Sequence, residues 1–175
     1  DIGFAGGTAE DNRGVLPHLS YSLKGSAAAI EASKKFQPVA LMETVWGDNG
    51  GECAVMANLP AIVHYASCAI GVSDERMKKE FLALTGVRFD DFMKLEYAQT
   101  FGGKYTEEIA NPAKYGLYND VFSGYADAVI DGGDKKYFSA AKRAIEGMEN
   151  GEYGYLFRTA ISLNEVLALK YDVGI

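Results

Sequence analysis

The sequence has no apolar run of the roughly 18 residues that a membrane-spanning helix needs. It also lacks a basic n-region leading into an apolar stretch, the mark of a secretory signal. Lysine and arginine are scarce against acids, 17 to 24, for a net charge of −7. No basic stripe offers itself to a phosphate backbone, so nucleic acid is excluded as an expected partner. Two cysteines, Cys53 and Cys68, among 175 residues cannot make a disulfide framework. Both sit in an apolar, helix-like run, where a buried thiol in a reducing compartment is the simplest reading. The free thiols and the missing apolar span set the expectation of a cytoplasmic protein without membrane contact; the missing signal says little about a longer parent. Histidine occurs twice. His64 and Cys68 stand four apart on one helix face, but with no second pair nearby neither a metal nor a cofactor is expected.

What is present falls into two grammars. Up to about residue 71 the order is strand, helix, strand, helix, the pattern of an α/β sheet or barrel. "DIGFAGG" reads as a strand already under way, so the chain is expected to be a piece of a longer protein. A polar loop, "TAEDNRGV", follows, then a helix over 18–36 with Leu19, Leu23, Ala27, Ile30 and Ala32 near a 3.6 period. His18, after Pro17, would cap or pack at its start. "PVALMETVW" is continuously apolar and suits a strand covered on both faces. The segment "ECAVMANLPAIVHYASCAI" closes at Gly71, with Pro60 expected to kink or split it. Two short parallel strands, near 2–6 and 39–45, follow from this order.

Beyond Gly71 the pattern is helix after helix. Ser73 caps "DERMKKEFLALT", Gly86 ends it, and Glu75 pairs with Lys79. Asp90 is placed to cap "DFMKLEYAQTF", and "NPAKYGLYND" reads as a turn-rich connector. Helices are expected over "VFSGYADAVI", "KKYFSAAKRAIEGM" and "YGYLFRTAISLNEVLALKY", the last with Leu156, Ala160, Leu163, Leu167 and Tyr171 on one stripe. Eleven tyrosines and nine phenylalanines lie mostly in this half. They supply a core, or a subunit interface for a homodimer through the helical domain. A non-catalytic dimerisation or docking module is therefore one reading of the chain's role.

The only tryptophan, Trp46, lies in "ETVWGDNGGE", among Glu43, Asp48 and Glu52 and beside Gly47, Gly50 and Gly51. At the carboxyl end of a parallel strand, Trp46 and Asp48 stand where α/β barrels build their sites. A flat apolar ring beside an acceptor suits a sugar, and the glycines let the loop bend. Equally open from spacing is a core tryptophan with Asp48 capping the following helix.

"FAGG", "PHLSYS" and "WGDNGGECAVMANLPAIVHYA" together resemble the end of the catalytic barrel in family 20 glycoside hydrolases. The intracellular bacterial β-N-acetylhexosaminidase branch, with Trp-Gly-Asp-Asn-Gly-x-Glu-Cys and a later Leu-Pro, is the closest in pattern. Its elements stand at Trp46 to Cys53 and at Leu59-Pro60. The resemblance implies a mostly α chain with a small α/β part. Residues 1–71 would be the last two β/α units of a TIM barrel, and 72–175 an all-helical C-terminal domain. It also implies a substrate, a glycan ending in β-linked N-acetylglucosamine or N-acetylgalactosamine. Trp46 would line the acetamide pocket, and Asp48 would accept from sugar hydroxyls, with Glu52 as a further substrate-binding residue. In the family the acetamide oxygen is the nucleophile, and an Asp-Glu pair on an earlier strand orients it and protonates the leaving group. These 175 residues lack that pair; Asp74-Glu75 opens a helix. The loop "TAEDNRG" carries no tryptophan where relatives wall the sugar with one. The chain alone is thus expected to be inactive.

Overall fold

The computed structural model describes residues 2–10, 14–46, 50–100, 112–120, 122–124 and 134–173. Strand β1 (Gly3–Glu10) pairs in parallel with β2 (Ala40–Trp46), and α1 (Leu19–Ser33) connects them. Register runs from Gly3 opposite Ala40 to Glu10 opposite Trp46, with an irregularity between Gly7 and Ala9. β1 therefore continues into the stretch expected to be loop. Helices α2 (Leu59–Ile70), α3 (Asp74–Thr85), α4 (Phe89–Phe92), α5 (Tyr97–Thr100), α6 (Pro112–Tyr118), α7 (Asp134–Ile145) and α8 (Gly154–Val173) follow. The chain is mostly helical, and among the described residues the sheet has two strands.

Several local expectations change. β2 is not covered on both faces. Tyr65 of α2 donates its hydroxyl to the Met42 carbonyl at 3.3 Å. A methyl group placed on Gly6 would meet Tyr65 and the Glu43 carboxylate, so Glu43 lies on the helix-covered side. Alternation puts Ala40, Met42, Thr44 and Trp46 on the other side. Met42 and Trp46 there are exposed. The α1 stripe also differs: Leu19, Ser22, Ser26, Ile30 and Ser33 are buried. Ser22, Ser26 and Ser33 donate to the carbonyls of His18, Ser22 and Ile30, so small hydroxyls go inside without an unsatisfied group.

Of the two outcomes expected at Pro60 the segment shows the split, not a kink: a 3₁₀ turn at Val55–Asn58 precedes α2, and Pro60 occupies the first turn of α2, where its missing N–H is no loss. Of the two roles open to His18, it takes packing: it supplies no side-chain cap to α1 and stacks on Tyr21. Asp90 sits inside α4 and pairs with Lys78 at 2.7 Å. On α3 the helical pair formed is Arg76–Glu80. The expected connector at "NPAKYGLYND" is largely α6. Residues 122–124 are not helical; most of the helix expected over "VFSGYADAVI", and the glycines expected to end "DFMKLEYAQTF", lie outside the described residues. Ser73 does cap α3, accepting from the Arg76 N–H, and Gly71 and Gly86 close α2 and α3 with φ of 73° and 71°. All five predicted α8 stripe residues are buried.

The apolar core belongs to the helical half. Phe81 meets Phe89 and Phe92 edge to face at 5.2 and 5.4 Å, and Phe92 meets Tyr153 and Phe157 at 5.6 and 5.8 Å. Leu16, Cys53 and Ala57 from the first seventy residues join the same cluster. Loops leaving the strands thus plug into the helical core.

Candidate functional site at the carboxyl end of β2

β2 delivers Trp46 to its carboxyl end, and 51% of the residue is exposed. In this chain Trp46 is not a core residue. Its indole N–H donates to Thr44 Oγ1 at 2.7 Å, and Thr44 Oγ1 donates to the Gly6 carbonyl at 2.9 Å. Residues two apart on a strand share a face, so one hydroxyl anchors the indole to the neighbouring strand. The ring edge is fixed while a broad apolar surface stays open, which is an arrangement able to stack on the apolar side of a ligand.

Asp48 lies outside the described residues. The segment after it does not open a helix directly; residues 50–54 are irregular before the 3₁₀ turn. Gly50 and Gly51 have φ of 104° and 64°, values that side-chain-bearing residues seldom adopt. Glu52 follows, and its carboxylate is engaged. Lys114 Nζ lies 2.8 Å from Oε1 and 2.9 Å from Oε2, and the Tyr118 hydroxyl reaches Oε1 at 3.5 Å. The hydrogen bond from Lys114 is the largest influence holding the Glu52 carboxyl below its ordinary pKa, against a smaller upward push from burial. Sequence reasoning missed Lys114 and Tyr118, because α6 reads locally as a loop.

The second link between the halves is Glu96, in the 3₁₀ turn Met93–Glu96. It accepts from the Ser20 backbone N–H at 2.6 Å. It thereby caps the start of α1, whose own flanking residue supplies no cap. Burial raises the Glu96 carboxyl above the usual range, opposed by its hydrogen bonds with Ser20.

His64 and Cys68 are neighbours, with Sγ 3.6 and 3.8 Å from the two ring nitrogens. Burial lowers the His64 pKa and raises that of Cys68, so both stay neutral near pH 7. Among the described residues no group of three or more His, Cys, Asp or Glu could hold a metal ion. No helix among them is long and apolar enough to cross a membrane. A groove of roughly 450 Å³ lies between α7 and α8, away from Trp46. Two of its basic side chains are spent on ion pairs, Lys135 with Asp172 and Lys142 with Glu165. The β2 end carries the better chemistry because its exposed ring is hydrogen-bonded into place.

A parallel β-α-β unit with an anchored aromatic at the strand's carboxyl end thus packs against the helical half of the chain. Residues 90–175 match the family model of the Glycoside Hydrolase 20C C-terminal domain. The match lies on the helical half of the chain and supports a parent protein of the glycoside hydrolase 20 family. No curated protein matches the chain.

Proposed function

We propose that this chain is the C-terminal part of a β-N-acetylhexosaminidase, with residues 1–71 as the last two β/α units of its barrel and 72–175 as the helical domain. The carrying observation is the placement of Trp46: half-exposed, hydrogen-bonded in place, on the open face of a parallel strand, in a chain whose other half is a glycoside hydrolase 20C domain. In a closed barrel that open face turns inward and Trp46 stands at the catalytic mouth. Its ring walls the acetamide of a terminal N-acetylglucosamine or N-acetylgalactosamine, and Asp48 accepts from sugar hydroxyls. The acetamide oxygen attacks the anomeric carbon, with retention, and an Asp-Glu pair from an earlier strand orients it and protonates the leaving oxygen. The setting is the cytoplasm.

Purified full-length protein should hydrolyse a chromogenic β-N-acetylglucosaminide or β-N-acetylgalactosaminide. Trp46→Ala should lower kcat/KM by ~10²-fold or more, because a misplaced internal nucleophile loses much of its proximity advantage. Its melting temperature should stay near that of the parent. The 175-residue chain alone should release nothing above the blank, since it lacks an acid whose help is typically worth ~10²–10⁴-fold. Unfolding of Trp46→Ala with full activity in the folded remainder would sink the pocket assignment.

A second reading, self-association through the helical domain, is favoured by one observation. Val166, Leu169 and Val173 are exposed on α8 at spacings of three and four, which share a face. Sedimentation at rising concentration tests it; a monomer throughout excludes it.

A further inference from the structure

The groove between α7 and α8 has an unpaired acceptor in its lining. Asn164 lines it and is only 1% exposed. Its Nδ2 donates to the Ala160 carbonyl at 2.8 Å. That bond sets which way the amide faces, because the reversed amide would bring two acceptors together. Oδ1 is then left buried without a hydrogen-bond partner. Buried polar atoms are nearly always paired, and one that is not costs stability. An acceptor beside a cavity of roughly 450 Å³ calls for a donor carried by whatever fills that cavity.

The charges around the groove narrow what that molecule is. Lys135 and Lys142 are neutralised by Asp172 and Glu165 at 2.7 and 3.3 Å. Arg143 and Glu146 remain, one of each sign, and neither side chain pairs with another described residue. These charges cancel, so the groove has no surplus with which to hold an anion or a cation. The half-buried Ser139 hydroxyl also has no partner among the described residues. Ala168 and Leu169 add an apolar strip. Donors and acceptors mixed around such a strip match a neutral ring with hydroxyls on its edge and C–H groups on its faces.

We propose that the α7–α8 groove is a non-catalytic binding site for a neutral, hydroxyl-rich ligand of monosaccharide size. One ligand hydroxyl donates to Asn164 Oδ1, and Ser139, Arg143 and Glu146 complete the polar contacts. All lining residues fall between Lys135 and Leu169, so the site stands whether or not Trp46 walls an acetamide.

The test is calorimetric titration of the full-length protein with glucose, galactose, mannose and N-acetylglucosamine, and with inorganic phosphate as the charged comparison. At least one sugar should bind with a Kd of about a millimolar, and phosphate should bind more weakly. Asn164→Leu should weaken that sugar about tenfold. Without sugar it should melt at or above the parent, because it removes an unpaired buried group at little change in volume. Arg143 is exposed, so Arg143→Ala should weaken the sugar about threefold at an unchanged melting temperature. Trp46→Ala should leave this affinity as it is. If Asn164→Leu does not fold, Arg143→Ala and Ser139→Ala decide, and unchanged affinity in both overturns the site. Affinity lost in Trp46→Ala but kept in the groove variants puts the sugar at the strand end and overturns the proposal. Phosphate binding tighter than every sugar overturns the neutral ligand. No binding of any of the four sugars, even far above millimolar concentration, overturns the site and leaves Asn164 Oδ1 to a buried water.

Discussion

In the helical half, Phe81, Phe89, Phe92 and Phe157 meet edge to face out of reach of water; in the α/β half, Met42 and Trp46 of the second strand look into solvent. Both halves are rich in apolar residues, so composition does not separate them. The difference is in partners. A helix with a 3.6-residue stripe finds a partner in the next helix along the chain. A two-stranded sheet has two faces, and α1 and α2 cover one. A strand that is apolar on both sides is suited to a sheet with a second covering, which a barrel interior would supply. The open face is thus a reading of what the strand is built to meet, and the helical core is a reading of what this chain completes by itself.

The largest effects should separate the halves. Phe92→Ala removes the ring at the centre of the aromatic cluster, and the loss of such a buried ring costs about 3–5 kcal/mol. Met42→Ala, on the open face, should change stability by no more than about 0.5 kcal/mol. Urea melts of the two variants would check this; equal losses would mean that the sheet face is covered in solution. Next in size is Gly116→Ala. Tyr171 is buried and has no room to retreat from the new methyl. Overpacking of this kind costs about 1–3 kcal/mol, less the ~1 kcal/mol by which alanine favours a helix over glycine. A stabilised protein would show that α6 does not lean on α8.

Legibility followed range. Ser73, Gly71 and Gly86 act within a few residues of themselves, and their capping roles are readable from the sequence. So are the α8 stripe and the parallel strand-helix-strand unit, which are periodic. α6 was not readable: its seven residues lack a long apolar stripe, and what holds them is Lys170, more than fifty positions on. The place of His18 after Pro17 left capping and packing open, and it packs; the cap of α1 is Glu96, 76 residues distant. Pro60 marked a division of the apolar run, and the run does divide there, into a 3₁₀ turn and a helix that begins at Leu59. At the candidate site, Trp46 at a strand end was legible from "ALMETVW" followed by glycines. The engagement of Glu52 by α6 was not, because an ion pair between distant segments leaves no periodic trace.

The smallest expected effect concerns the two carboxylates that join the halves, and here the comparison turns on sign. Glu52 is held below its ordinary value of 4.5 by Lys114. Its contribution is therefore present above about pH 4.5 and is lost as pH falls through the lowered folded value. Glu96 is raised above 4.5 by burial. Its folded state holds the proton more tightly than the unfolded chain does. The stabilisation from this protonation is full below about pH 4.5 and fades as pH rises through the raised folded value. At neutral pH the buried charge on Glu96 is a cost, offset by its bond to the Ser20 N–H. Glu96→Gln removes the charge and keeps an acceptor oxygen, so at pH 7 it should melt at or slightly above the parent. Glu96→Ala leaves the start of α1 without its cap, and lost caps cost about 0.5–2 kcal/mol. Glu52→Gln should melt slightly below the parent at pH 7 and converge with it in acid. Thermal melts of the three variants between pH 3.5 and 7 would follow both trends. If Glu96→Gln lost as much at pH 7 as Glu96→Ala, the charge itself would be holding α1, and the two junctions would work with the same sign.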